Sequence, residues 1–250
     1  MPVMDEFKEE REALKNGTPK EKLSYFWYYY KWHVIGGITV IAVIISLIHT
    51  YVTRKDIGFY AVMLNSTATE NTEAYSQEVA EALGIDTEKY DLLFDTTMYV
   101  DFNNMDDSTV ASSQKMMVYI AAGEFDIVVT DTASIEHYSY TDTFYDLRDL
   151  LSAEQLEKYE PYFYYIDKKV LDEKQAAADA MDSSYVPVYP EDPSNPESMA
   201  EPVPVGIYVN SCDDFTNNFY FRADDVVFSV VATTTRPELA IQYLDYIFEE

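Results

Sequence analysis

Residues 33–52 read H-V-I-G-G-I-T-V-I-A-V-I-I-S-L-I-H-T-Y-V, with no charge from position 34 to position 48 and Arg54 and Lys55 closing the run. At about 1.5 Å of rise per residue, roughly 20 residues cross a ~30 Å hydrocarbon layer, so this run is just long enough to span. Tyr25, Phe26, Trp27, Tyr28, Tyr29, Tyr30 and Trp32 crowd its N-terminal side, and Tyr51 stands at the other end. Amphipathic rings at both edges suit a bilayer interface, whereas a helix buried in a globular core has no need of them. A cleaved signal peptide fits poorly, because the run starts late and no small-x-small site follows it. The chain is therefore expected to have three parts: a juxtamembrane segment (1–32), one transmembrane helix (33–52) and a C-terminal domain (53–250).

The net charge of −28 is unevenly distributed. Residues 1–33 are balanced, with six basic and six acidic groups, and the remainder holds 11 basic against 39 acidic groups. Orientation follows the Lys and Arg beside the span rather than net charge. Lys15, Lys20, Lys22 and Lys31 precede it and only Arg54 and Lys55 follow closely. The expectation is a single-pass protein of the cell membrane, with its N-terminus cytoplasmic and its C-terminal domain extracellular. So acidic a domain repels nucleic acid. Cys212 is the single cysteine, which excludes an intramolecular disulfide framework.

Residues 5–15 suggest a short helix stopped at Asn16-Gly17, Pro19 opens another turn, and residues 25–32 are expected to continue as helix into the membrane. After Arg54 the pattern alternates between strand and helix. Residues 57–64 (I-G-F-Y-A-V-M-L) form a buried-type strand ended by Asn65-Ser66-Thr67. Tyr75, Val79 and Leu83 share one helix face, which Gly84 ends. One strand or a broken pair is expected within residues 90–102. Asp106, Asp107 and Ser108 offer caps for a helix to Ala122 with Val110, Met117 and Ile120 inward, and Gly123 stops it. Residues 125–130 (F-D-I-V-V-T) form the clearest strand. This succession predicts a parallel α/β sheet. Ser152-Ala153-Glu154-Gln155 and Thr235-Arg236-Pro237-Glu238 are capping boxes, and Ala240, Tyr243, Leu244 and Ile247 form the buried stripe of a terminal helix. Six prolines between positions 187 and 204 predict an irregular loop rather than a sheet interior. Residues 205–209 and 226–232 are late strands.

Two segments resemble extracellular solute-binding proteins of the type II periplasmic-binding fold. The first is I-A-A-G-E-F-D-I-V-V-T-D (120–131) followed by F-Y-D-L-R-D-L-L (144–151), similar to that family's helix ending in a-G-x-x-D-i, its next strand and its "dL" segment. The second, residues 226–247, is similar to the family's returning strand and closing helix. The stretch T-P-K-E-K-L-S-Y-F-W-Y-Y-Y-K-W-H (18–33) resembles a juxtamembrane signature of small single-pass proteins of Gram-positive bacteria. The interval between the two matching segments, about 162–225, is too short and too rich in proline for a full second lobe, leaving one main lobe with at most a rudimentary subdomain. The resemblance therefore implies a single-lobe α/β domain, part of a type II periplasmic-binding protein, acting as a membrane-anchored solute-binding-like module. The alternative is a structural or protein-interaction component of the cell envelope built on a degenerate binding fold.

In open α/β sheets, ligands bind beyond the carboxyl ends of strands. Asn65, Ser66 and Thr67 after the first strand, with Asp131, Thr132 and Ser134 after the strong one, are candidates to hydrogen-bond a polar solute; as turn and cap residues they have a plainer explanation. Asn65, Ser66, Asp131, Thr132 and Ser134 are the candidate ligand-binding set. Residues 101–107 suggest a calcium loop but lack its glycine, where Asp106 stands, and its closing glutamate, where Ser112 stands. No metal or cofactor is expected, nor an enzyme: no H-x-x-x-H, C-x-x-C, G-x-S-x-G or phosphate loop occurs. His137 reads as a loop residue and Cys212 as a small buried one. Tyr138, Tyr140, Tyr145, Tyr159, Tyr162, Tyr164 and Tyr165 form either a sugar-stacking surface or a cover over the sheet edge. The expected partners are the lipid bilayer and either a small polar solute or an envelope protein.

Overall fold

The structure is a computed structural model describing residues 18–249. The helix expected over residues 5–15 lies outside the described residues. The chain divides into two units, Met1–Arg54 and Lys55–Glu250.

Among the described residues of the first unit, one helix, α1 (Pro19–Thr53), takes in the whole aromatic and apolar stretch. Thr18 caps it: its hydroxyl accepts the Glu21 N–H, and the Glu21 carboxylate accepts the Thr18 N–H at 2.8 Å. Pro19 follows at the first helical position, where a missing N–H leaves nothing unpaired. Tyr30–Thr53 is long and apolar enough to cross a membrane, with 24 residues, a mean hydropathy of 2.1 and none of it buried. Thr39 and Thr53 return their hydroxyls to the carbonyls of Ile35 and His49, which lets an apolar helix carry threonine without unpaired polar groups.

The second unit runs β1 (Asp56–Met63), β2 (Ser66–Ala68), α2 (Thr72–Ala82), β3 (Tyr90–Asp95), α3 (Asp107–Ala121), β4 (Ile127–Asp131) and α4 (Thr132–Ser139). Short helices α5 (Leu147–Leu150) and α6 (Ala153–Tyr159) lead to β5 (Phe163–Asp167) and α7 (Lys168–Asp179). Then come β6 (Pro202–Tyr208), α8 (Asp213–Asn218), β7 (Phe219–Phe221), β8 (Val226–Val230) and α9 (Pro237–Glu249). Six strands form one sheet in the order β3-β1-β4-β8-β6-β5, and β2 pairs with β7 apart from it.

β1 lies between β3 and β4, parallel to both. Every residue from Phe59 to Leu64 is buried, as in strands covered on both faces. Phe59, Ala61 and Met63 face one core, shared with Tyr75 and Val79 of α2 and with Ala240, Tyr243, Leu244 and Ile247 of α9. Tyr60, Val62 and Leu64 face the other, with Met116 of α3 and Ile135 and Tyr138 of α4. The sheet is thus the middle of three layers. Gly84 and Gly123 end α2 and α3 at φ of +65° and +67°, the left-handed closing turn that glycine adopts freely.

Several expectations need correction. The sheet is mixed, not parallel: β4–β8, β8–β6 and β6–β5 are all antiparallel, because the apolar pattern that reveals a strand carries no information about its direction. Pro202 and Pro204 lie within the sheet, opposite Asp167 and Tyr165 of β5. The ladder from β6 to β8 begins only at Ile207, so at the prolines β6 is bonded on one side, the edge setting in which proline is tolerated. In α3 Thr109 and Met116 are buried and Ile120 packs against the second core as expected, whereas Val110 and Met117 are exposed; the Thr109 hydroxyl turns inward to accept the Asp101 N–H at 3.2 Å. Residues 90–102 hold one strand, β3, in their first half. Before α9 the hydroxyl that receives a main-chain N–H is Thr234's, from Arg236 at 3.0 Å, rather than that of Thr235.

Asp126, from the G-x-x-D-i motif, is fully buried and joins β1 to the start of α9. It accepts the Tyr60 N–H at 2.7 Å, Arg236 Nε at 2.9 and 3.1 Å, and the Thr234 hydroxyl. Arg236 also donates to the Ile57 carbonyl at 2.7 Å. Every polar atom of this pair that leaves water thereby finds a protein partner, the condition under which a buried ion pair is tolerated.

Candidate functional site

β1 is followed by α2 on one face of the sheet, and β4, its neighbour, by α4 on the other. Where adjacent parallel strands send their chains to opposite faces, a crevice opens beyond their carboxyl ends. The residues at those two ends are Asn65 and Asp131, and a cleft of about 220 Å³ opens there, lined by Asn65, Tyr99, Asp131, Phe221, Arg222 and Ala223.

Asn65 is the joint of this cleft. It adopts φ of +62°, a conformation asparagine reaches more readily than most residues. Its Oδ1 accepts the Val100 N–H at 2.8 Å, while its Nδ2 donates to Asp131 Oδ2 at 2.7 Å and to Ser134 Oγ at 3.1 Å. One side chain thus ties the loop carrying Tyr99 to the β4–α4 corner. Asp131 caps α4, accepting the Ser134 N–H at 2.8 Å and the Ser134 hydroxyl at 3.2 Å. Its carboxylate lines the cleft, with Oδ2 held by Asn65, Ser134 and the Thr130 hydroxyl at 3.4 Å and, among the described residues, Oδ1 by the Ser134 N–H alone.

Of the five candidates read from the sequence, Asn65 and Asp131 line the cleft. Ser134 is buried, and acts behind them by fixing Asp131. Ser66 turns its hydroxyl to the Met63 carbonyl at 2.6 Å, and Thr132 opens α4 without being a lining residue. Tyr99, Phe221, Arg222 and Ala223 were not anticipated. β7 pairs antiparallel with β2, setting Phe221 against Ser66, and this brings Arg222 beside Asn65 from more than 150 positions away. Two strands of three residues leave no periodic trace in the sequence.

The other candidates resolve into local structure. Asp101 accepts the Asn103 N–H and Asp106 caps α3 through Thr109. Among the described residues, no three His, Cys, Asp or Glu side chains gather as a metal site. His137 stacks on Phe102 with ring centroids 3.8 Å apart, and burial, aided by Lys174, lowers its pKa. Burial and the neighbouring Asp213 push the Cys212 thiol up to about 11, so it is un-ionised at neutral pH. Tyr138, Tyr140, Tyr159 and Tyr164 are buried, whereas Tyr162 is exposed; the tyrosines belong mostly to the core and make no stacking platform.

No protein-family model, curated protein or solved structure matches the chain.

Proposed function

We propose that the chain is a membrane-anchored solute-binding-like module whose single α/β lobe faces outward and takes a small polar solute at the carboxyl ends of β1 and β4. The observation that carries this reading is the cleft between Asn65 and Asp131 at the point where the chain leaves the sheet on opposite faces. The resemblance to type II periplasmic-binding proteins is supported by β8 returning antiparallel beside β4 and by α9 closing over the first core. The anchor is α1, and the orientation rests on the lysines that precede it. With one compact unit after Arg54 and at most a reduced second lobe to clasp the ligand, affinity is expected between about 1 μM and 1 mM.

The test is a thermal-shift and titration screen of the full chain in detergent micelles against sugars, amino acids and short peptides. A ligand at 100 times its Kd stabilises by about 2.7 kcal/mol, readily seen as a rise in Tm. Asp131→Ala should abolish binding and leave the far-UV spectrum unchanged. An unchanged titration in that variant would remove Asp131 from the site.

A second reading, contact with an envelope protein, is favoured by one feature: Val110, Met117 and Val118 on the outer side of α3 are 37%, 66% and 64% exposed. A screen without any ligand, together with a specific crosslink from Met117 in cells, selects that reading.

A further inference from the structure

Beyond position 53 the chain carries 11 basic residues among 39 acidic ones. Bases so outnumbered find partners readily. Among the described residues eight of them form ion pairs, such as Lys115 with Asp95 at 2.9 Å and Arg236 with Asp126 at 2.9 Å. Lys174 lies over the Tyr189 ring at 6.0 Å from its centroid. In the unit from Lys55 onward, Arg222 alone among the described bases has neither an acidic nor an aromatic partner, although Asp224 and Asp225 follow it in the chain. It lines the same cleft as Asp131, and these two are the charged groups of its lining.

We propose that this cleft takes a free α-amino acid. The inference rests on the solute-binding reading above and names its ligand class. The argument is one of charge. Arg222 is exposed and water solvates it in the open cleft; a neutral sugar draws on neither charge, an anion meets Asp131, and a cation meets Arg222. A zwitterion satisfies both, with its carboxylate on the planar fork of Arg222, which matches it bidentately, and its ammonium toward Asp131. Tyr99 and Phe221 complete the lining with ring surface for a side chain. The cleft volume of about 220 Å³ is below the ~300–1,000 Å³ typical of sites for drug-sized ligands, and so suits a single amino acid rather than a longer peptide.

The experiment uses the full chain in detergent micelles, titrated with each of the twenty protein amino acids, with glucose and maltose, and with the amide and the N-acetyl derivative of any amino acid that binds. At least one amino acid should raise Tm, and removing either its carboxylate or its ammonium charge should weaken binding at least tenfold. Arg222→Gln should leave the ligand-free Tm unchanged and weaken the amino acid at least tenfold, while changing its amide less than twofold; Arg222→Lys should restore part of the loss. A sugar that binds while no amino acid does overturns the ligand class and leaves the solute-binding reading standing. Amino-acid binding that is indifferent to Arg222→Gln overturns the assignment of the carboxylate subsite. Silence of the whole panel overturns the amino-acid class, and silence of the short peptides in the wider screen as well overturns the solute-binding reading.

Discussion

Asp95, the last residue of β3, collects more hydrogen bonds than a surface carboxylate normally does. It accepts the Thr97 N–H at 2.8 Å, the Thr97 hydroxyl at 2.5 Å, the Tyr60 hydroxyl at 2.9 Å and Lys115 Nζ at 2.9 Å. Burial works to raise its pKa, but the hydrogen bonds from Thr97 and Lys115 prevail and bring it to about 2. The folded state therefore holds this proton more weakly than the unfolded chain, where an aspartate titrates near ~3.9. Its contribution to stability is complete above that value and fades as the pH falls toward 2. A shift of this size corresponds to about 2 kcal/mol, and with only 11% of the side chain exposed solvent screens little of it. Asp95→Asn should lower the unfolding free energy by about that amount at pH 7, and the gap to wild type should close between roughly pH 4 and pH 2. Equilibrium urea unfolding of both proteins across that range checks it, and a gap independent of pH refutes the assignment. Asp95 was not singled out in the sequence: its partners at positions 60 and 115 meet only when α3 packs beside β1.

At the scale of elements, α9 is the clearest case of sequence dictating packing. Ala240, Tyr243, Leu244 and Ile247 recur at helical spacing, and all four are buried against Phe59, Met63 and Phe228 in one cluster. Leu244 is fully buried, so Leu244→Ala should cost about 2–5 kcal/mol in the same unfolding measurement. A loss under about half a kcal/mol, the surface range, would make α9 peripheral. β1 was equally legible, since a strand covered on both faces must be apolar at consecutive positions. The turn glycines after α2 and α3 were legible for a different reason: they meet a backbone requirement that few other residues meet. The face of α3 was not, because apolarity alone pointed Val110 and Met117 inward while a hydrogen bond turned Thr109 there instead. β6 was legible only in part: its second half reads as a strand, but the prolines of its first half suggest a loop and are housed by a ladder bonded on one side. The candidate site divides the same way. Asn65 and Asp131 follow strong strands and could be found from them, but Arg222 and Phe221 reach the cleft through a pairing of two three-residue strands, which only the folded chain reveals.

At the scale of the whole molecule the question is which side of a membrane the acidic unit occupies. Tyr30–Thr53 is long and apolar enough to cross, and the α/β unit begins at Lys55. Translocation is opposed by Lys and Arg within about 15–20 residues of the span. Lys15, Lys20, Lys22 and Lys31 precede the helix, against Arg54 and Lys55 after it. The carboxylates beyond the span weigh little in this balance, since acidic residues contribute little to the orientation rule. On the proposed reading, the Lys and Arg asymmetry favours an outward acidic unit, where a solute cleft would meet the medium. The expected result is that protease added to intact, wall-stripped cells removes an epitope at the C-terminus and spares one at the N-terminus. Replacing Lys20, Lys22 and Lys31 with Gln should raise the fraction of protected C-terminal epitope, because Arg54 and Lys55 then outweigh what remains. A C-terminal epitope protected in the wild-type protein, and digested only after the cells are lysed, would place the α/β unit in the cytoplasm and turn its cleft toward intracellular solutes.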